Sequence, residues 1–279
     1  MRGSGERAVA VIVVASASGS PGVTTTCLAL ASVWPRPVLL VDADPTGGSA
    51  ILAGFFQGRL PAGGGLTEVA LGLRRGDVAG AIAASAIALP GTSAHVLPGV
   101  AGHAVSRTLS ELWPVLLGEL RALAATGQDV LVDAGRLGLA GSPEPLIYGA
   151  DAAVLAVGSS LPAVAAARSW AATWAATFED VGTGALVPTV LVVGPGRPYG
   201  VREVGSVLPV PVLGSLAWDP AGAAVFSAGA SPGRRFRGGP LMRSVAGLQE
   251  AIAARVAGQA EVLGADDELA QQMARGGAR

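Results

Sequence analysis

Short β-branched runs alternate with longer Ala/Leu-rich stretches along nearly the whole chain, and this rhythm restricts the fold more than any other feature of the sequence. The runs at 9–15, 37–41, 94–97, 129–132, 152–157, 189–193 and 210–213 are mostly apolar on both sides, the pattern of strands buried on both faces. Between them, 23–33, 106–126, 162–178 and 241–257 read as helices, with Pro162 and Pro240 where a helix can begin. A βαβα order of this kind predicts an α/β, doubly wound, mainly parallel sheet flanked by helices in three layers.

Gly/Pro-rich stretches at 54–65, 194–200 and 228–240 read as loops, because strand or helix signals resume after each. The expected organisation is a flexible N-terminus at 1–7, one domain over 8–263 and a polar tail at 264–279, frayed or forming a short surface helix. No apolar run approaches the roughly 18 residues that a spanning helix needs. The longest, at 8–17, leads into a Gly-containing turn, which suits a buried strand better than a signal peptide. The expected location is cytoplasmic, with peripheral attachment to membrane or nucleoid left open.

With a net charge of −1 the chain has no global attraction for nucleic acid or anionic lipid. One cysteine, Cys27, excludes an internal disulfide framework and a cysteine-based zinc site. More restrictive still, all 19 basic residues are arginine: the sequence contains neither lysine nor asparagine. Any mechanism that needs a lysine is excluded.

Residues 17–25, ASGSPGVTT, lie between the first predicted strand and the first predicted helix. A strand, a tight Gly-rich turn and a helix N-terminus are what a phosphate-binding loop requires, since backbone N–H groups and the helix dipole then face one point. Against G-x-x-x-x-G-K-[ST], Gly22 and Thr24 match, Ala17 replaces the first glycine and Val23 replaces the lysine.

Other segments follow in a telling order: VLLVDADPTGG at 38–48, LTEVALG at 66–72, HVLPG at 95–99, DVLVDAG at 129–135, ADAAVLAV at 150–157 and PVPVLGSLAWDPAGAAVFSAG at 209–229. Together with the loop they resemble the ParA/MinD family of dimeric P-loop ATPases over roughly residues 8–257. The family's KGGxGKTT aligns with Ser18, Gly19, Ser20, Pro21, Gly22, Val23, Thr24 and Thr25. The resemblance implies ATP or ADP phosphates on Gly19, Ser20, Gly22, Val23, Thr24 and Thr25, and Mg²⁺ near Thr24, Asp44 and Asp133. It gives Asp44 the catalytic position, beside the attacking water, if the chain is active.

The same alignment exposes the departures. Family lysines at the positions of Ser18 and Val23 contact the partner subunit's nucleotide and the β/γ-phosphates respectively, and both are missing. Hydrogen bonds to charged groups contribute about 1.5–3 kcal/mol each. A cation that stabilises phosphoryl transfer contributes about 10³–10⁵ in rate. Pro21 also removes a backbone donor from the turn, and Gly194 stands where the family often has an adenine-reading asparagine. An arginine can rescue such a site only from a distant loop or from a partner.

The bland alternatives are specific too. Gly19 and Gly22 serve a sharp turn, Thr24 and Thr25 serve as helix caps, and Asp42, Asp44 and Asp133 sit at strand ends where aspartate opens turns. GASPG at 229–233 matches a nucleophile elbow, but its context is wrong: a helical segment precedes it and both His95 and His103 come earlier in the chain. GPGRPYG at 194–200 has the wrong glycine spacing for a dinucleotide turn. Cys27 reads as core packing. Arg234, Arg235 and Arg237 around Phe236 read as a solvated loop or as a DNA-phosphate contact.

The expectation is a degenerate MinD/ParA-like protein, a non-hydrolysing positioning or assembly factor in septum placement, DNA segregation or cell-envelope machinery. Homodimerisation and protein partners follow from the resemblance. The alternative is an active ATPase with a lysine-free loop, its site completed by an arginine from a partner; whether the chain is an enzyme is left open.

Overall fold

The computed structural model describes residues 10–18, 21–61, 63–106, 109–181 and 187–276, with side-chain detail in these ranges except at 106, 181 and 260–276. The elements run β1 (Val11–Ser16), α1 (Val23–Val33), β2 (Val38–Asp42), a π-helical turn (Ile51–Phe55), α2 (Leu66–Arg75), α3 (Val78–Ser85), β3 (Ile87–Ala88), β4 (Ala94–Leu97), α4 (His103–Ser106) and α5 (Leu112–Ala125). They continue as β5 (Asp129–Arg136), α6 (Glu144–Tyr148), β6 (Ala152–Gly158), α7 (Leu161–Val181), β7 (Thr189–Val193), α8 (Val201–Val207), β8 (Val212–Leu216), α9 (Pro220–Ser227), a 3₁₀ turn (Phe236–Gly238) and α10 (Pro240–Gly276).

The eight strands form one sheet in the order β3-β4-β2-β5-β1-β6-β7-β8. All pairs are parallel except β3 with β4. Alternation along the central strands separates two cores. Val11, Val13 and Ala15 of β1 join Val130, Val132 and Ala134 of β5 on the face covered by α5 and α7. Ile12, Val14 and Leu131 point the other way, against Cys27 and Leu28 of α1 and Val245 and Leu248 of α10. This is the period-two reading of a strand applied to a sheet buried on both sides, so both sets are apolar.

The expected doubly wound α/β fold is present. Several boundaries differ from the sequence expectation, and four of them bear on the fold or the site. β8 starts at Val212 because Pro211 has no N–H to give the ladder. α5 starts at Leu112, with Pro114 in its first turn where a missing N–H costs nothing; the expected helix over 106–126 also crossed positions outside the described residues. α10 continues to Gly276 instead of stopping near 257, since alanine, leucine, glutamate and glutamine favour helix through most of that stretch. β5 runs past Val132 to Arg136, which bears on the site described below.

Asp129, the first residue of β5, ties the N-terminal end of the sheet together. Its fully buried carboxylate accepts from Ala10 N at 3.0 Å, Trp34 Nε1 at 2.8 Å, Arg36 Nε at 2.9 Å and Arg36 Nη2 at 3.0 Å. The forked arginine contact and the indole N–H satisfy both oxygens, which is what makes a buried carboxylate tolerable there. It is a structural aspartate at the end of the sheet opposite the loop.

Candidate phosphate-binding site

β1 ends at Ser16, and the chain turns through the loop into α1 with Gly22 in the left-handed region at φ 91° and ψ 42°. A residue with a Cβ is disfavoured in that conformation, so this is one glycine the turn requires. Thr26 N and Thr26 Oγ1 both donate to Gly22 O at 2.8 Å, closing the first turn. No acidic residue sits in the first turn of α1, leaving its N-terminal potential uncancelled. Thr24 and Thr25 are half-buried there, whereas Val23 is only 6% exposed and packs among α1, β1 and α10 side chains. The position aligned with a family lysine is thus occupied by core. Gly19 and Ser20 lie outside the described residues.

The acidic residues converge on the same edge. Asp42, at the end of β2, and Asp133, in β5, are Cα partners in the sheet and are both buried. Asp42 accepts from Ser49 Oγ at 2.6 Å. Asp133 Oδ1 accepts from Gly135 N at 2.9 Å, while Oδ2 has no hydrogen-bond partner. The Thr24 hydroxyl interacts with this carboxyl and favours its ionised form, but not in a geometry that satisfies Oδ2.

Desolvation pushes Asp133 up to about 8, reinforced by the neighbouring charge of Asp42. Desolvation also raises Asp42, to about 6, against the lowering effect of its Ser49 hydrogen bond. Two adjacent buried carboxyls cannot both ionise cheaply, so this pair retains a proton near neutrality.

Asp44 is half-buried, and its Oδ1 is held by its own turn, accepting from Thr46 N at 2.8 Å and Thr46 Oγ1 at 2.7 Å. Its carboxyl group packs on Gly135, which has φ 60°; a Cβ there would fall 2.3 Å from Asp44 Cγ. Gly99 backs Asp42 in the same way, since a Cβ on Gly99 would lie 2.9 Å from Asp42 Cγ. Thr24, Asp44 and Asp133, expected from sequence, therefore do come together. The sequence reading weighed Asp42 only as a strand-end aspartate and missed its supports Ser49, Gly99 and Gly135; the glycine two residues after Asp133 was an available signal.

Among the described residues, no three His, Cys, Asp or Glu side chains form a ready-made metal cage. Mg²⁺ takes oxygen ligands, phosphate and water among them. The unpartnered Asp133 Oδ2 and the adjacent Thr24 hydroxyl suit such an ion, which would neutralise the carboxyl and supply the charge that phosphates need.

The other sequence candidates separate from this edge. Arg234, Arg235 and Arg237 are exposed on the connection between α9 and α10. Phe236, between them, packs on Phe226 at 5.7 Å, which stacks in turn on Phe55 of the π-helical turn. His95 and His103 are exposed, and Cys27 is fully buried, with burial raising its thiol pKa well above the usual value. The 194–200 segment is a loop anchored by Ser159 Oγ to Gly194 O at 2.6 Å, with Arg197 lying 4.5 Å over the Trp218 ring. Among the described residues, no helix is long and apolar enough to cross a membrane.

No protein-family model and no curated protein sequence matches the chain. Solved structures do. The chain is similar to the MinD cell division protein of Aquifex aeolicus, with a TM-score of 0.64 and 18% identity over 88% of this chain and 97% of that one. It is similar to the septum site-determining protein MinD of Pyrococcus horikoshii, solved with Mg-ADP, with a TM-score of 0.63 and 18% identity over 87% and 95%. A ParA family ATPase from Chlorobium tepidum gives a TM-score of 0.65 and 15% identity over 88% and 99%. The A. aeolicus MinD is also solved as a MinC:MinD complex. The sheet order, the loop between β1 and α1 and these similarities agree: the chain has the ParA/MinD-like P-loop ATPase fold.

Proposed function

We propose that the protein is a positioning or assembly factor of the ParA/MinD type that holds nucleotide without turning it over. The observation that carries this reading is the split character of the site. The loop geometry at Gly22, the α1 N-terminus, Thr24 and the carboxyls of Asp44 and Asp133 are present, while Val23 is core and the chain has no lysine. Gly22, Thr24 and Thr25, together with Gly19 and Ser20, would receive the phosphates, and Thr24, Asp44 and Asp133 would surround Mg²⁺. Asp44, the position of the catalytic group, has one oxygen committed to Thr46, which supports retention over hydrolysis.

Assembly with a protein partner and homodimerisation belong to the same reading, supported by similarity to a MinD that is solved with MinC. DNA contact through Arg234, Arg235 and Arg237 is a subordinate part, resting on three exposed charges.

Septum placement, DNA segregation and envelope assembly share one expectation: a confined cellular distribution. A fluorescent fusion imaged in the source organism should form a stable focus or band. A uniform distribution would count against positioning. The active-ATPase reading is supported by the convergence of Asp44 with Asp133 and Thr24; it requires phosphate release by the purified protein that Asp44→Ala abolishes.

A further inference from the structure

The loop lacks its lysines, yet the sheet brings an arginine to its rim. Arg136 is the last residue of β5, exposed, three positions beyond Asp133 and the Cα partner of Ser16 at the end of β1. We propose that Arg136 is the phosphate-contacting cation of this site, binding the terminal phosphates of a nucleoside di- or triphosphate in place of the missing lysines. This rests on the nucleotide-holding reading above.

The aim of Arg136 follows from an irregularity in the sheet. Val14 pairs with Asp133 but Ser16 pairs with Arg136, so β5 advances three residues while β1 advances two. Bulges of this kind re-aim side chains and recur beside active sites. The extra residue is accommodated where Gly135 adopts φ 60°.

Without it, Arg136 would share the face of Val132 and Ala134, beneath α5 and α7, where a guanidinium would be buried among apolar groups. With the bulge it takes the face of Ser16 and Asp133, on the side where α1 starts. Leu137 then falls to the opposite face and is buried there, at 4% exposure.

The backbone at this point is fixed. Leu137 N donates to Ser16 O at 2.9 Å, Ser16 Oγ to Gly135 O at 3.4 Å, and Gly135 N to Asp133 Oδ1 at 2.9 Å. Arg136 forms no hydrogen bond or ion pair with the described residues. Its guanidinium is therefore available for a ligand. Arginine is always charged and its planar fork matches two phosphate oxygens, so one such residue can replace much of the charge that the loop lacks.

The test is isothermal titration of the full chain with Mg-ATP, Mg-ADP and pyrophosphate, using wild type, Arg136→Ala, Arg136→Lys and, as control, Arg168→Ala on the exposed side of α7. Arg136→Ala should weaken ATP and ADP binding about 10- to 100-fold, with Arg136→Lys intermediate and Arg168→Ala unchanged. Unaltered circular dichroism melting would establish that the variants fold. Pyrophosphate binding that falls in parallel identifies phosphate as the group contacted, whereas pyrophosphate binding indifferent to Arg136 overturns the assignment. Wild type that binds ATP no more tightly than Arg136→Ala overturns the role of Arg136 and leaves the nucleotide-holding reading standing; wild type that binds none of the three overturns both.

Discussion

Asp133→Asn is expected to make the protein more stable at pH 8, with a melting temperature several degrees above that of wild type. The carboxyl is fully buried, one of its oxygens has no partner, and desolvation together with Asp42 raises its pKa to about 8. In the unfolded chain the same group ionises at its ordinary value of 3.8.

Between those two values the native state holds a proton that the unfolded state has lost, so stability falls as pH rises, by at most about 1.4 kcal/mol per unit. Below the window both states are protonated, and above it both are ionised with the full penalty retained. A neutral amide removes the titration. The gain at pH 8 should be on the order of 2–4 kcal/mol, and a domain of this size gains about 2–4 °C per kcal/mol. Melting curves from pH 5 to 8 should slope downward for wild type and less steeply for the variant, with Asp42, raised to about 6, adding slope only below about pH 6. A variant less stable than wild type at pH 8 would show that Asp133 is compensated in the native protein. The same substitution should weaken Mg²⁺-dependent nucleotide binding, separating stability from function at one residue.

Gly47→Ala should destabilise the fold by about 2–5 kcal/mol, from left-handed backbone strain and overpacking together. Gly47 has φ 72°, and a Cβ there would lie 2.5 Å from Gly102 C and 2.6 Å from His103 N. These are backbone atoms, so no side-chain rotation relieves the clash. The adjacent Gly48 N donates to Val100 O at 2.9 Å, which binds the Asp44 loop to the 99–103 segment. The variant must push that loop outward, moving Asp44 and loosening the Ser49–Asp42 hydrogen bond. Urea unfolding would measure the loss. Gly48→Ala is the matched comparison: φ is 79° but no atom lies within 4 Å of its Cβ position, so only the conformational part of the cost should appear.

The architecture was legible because a parallel sheet buried on both faces writes itself as short apolar runs. Five of the strand ranges expected from sequence lie within one or two residues of β1, β2, β4, β6 and β7, and α1 is placed without error. The edge strand β3 left no such signal, being two residues long and half exposed. The family resemblance put Thr24, Asp44 and Asp133 in one site, and the doubly wound sheet brings them together by carrying its strand ends and the loop to one edge.

What could not be read was the parity of β5 beyond Asp133. A single extra residue at Gly135 reverses the face of everything after it, and one-residue register changes carry no mark in hydrophobic pattern when both faces are apolar. That is why Arg136, the arginine proposed for the site, could not be aimed at the loop from the sequence. The burial of Val23 was equally hidden, since a loop position aligned with a lysine does not reveal whether its replacement faces ligand or core.

The lysine-free loop is proposed to retain nucleotide and leave it intact. The direct test mixes protein in molar excess with radiolabelled Mg-ATP, separates bound from free nucleotide, and identifies the bound species chromatographically over several hours. The predicted result is ATP bound by wild type and recovered as ATP throughout. Recovery of bound ADP with released phosphate would contradict retention without hydrolysis, and absence of any bound nucleotide would contradict the site itself.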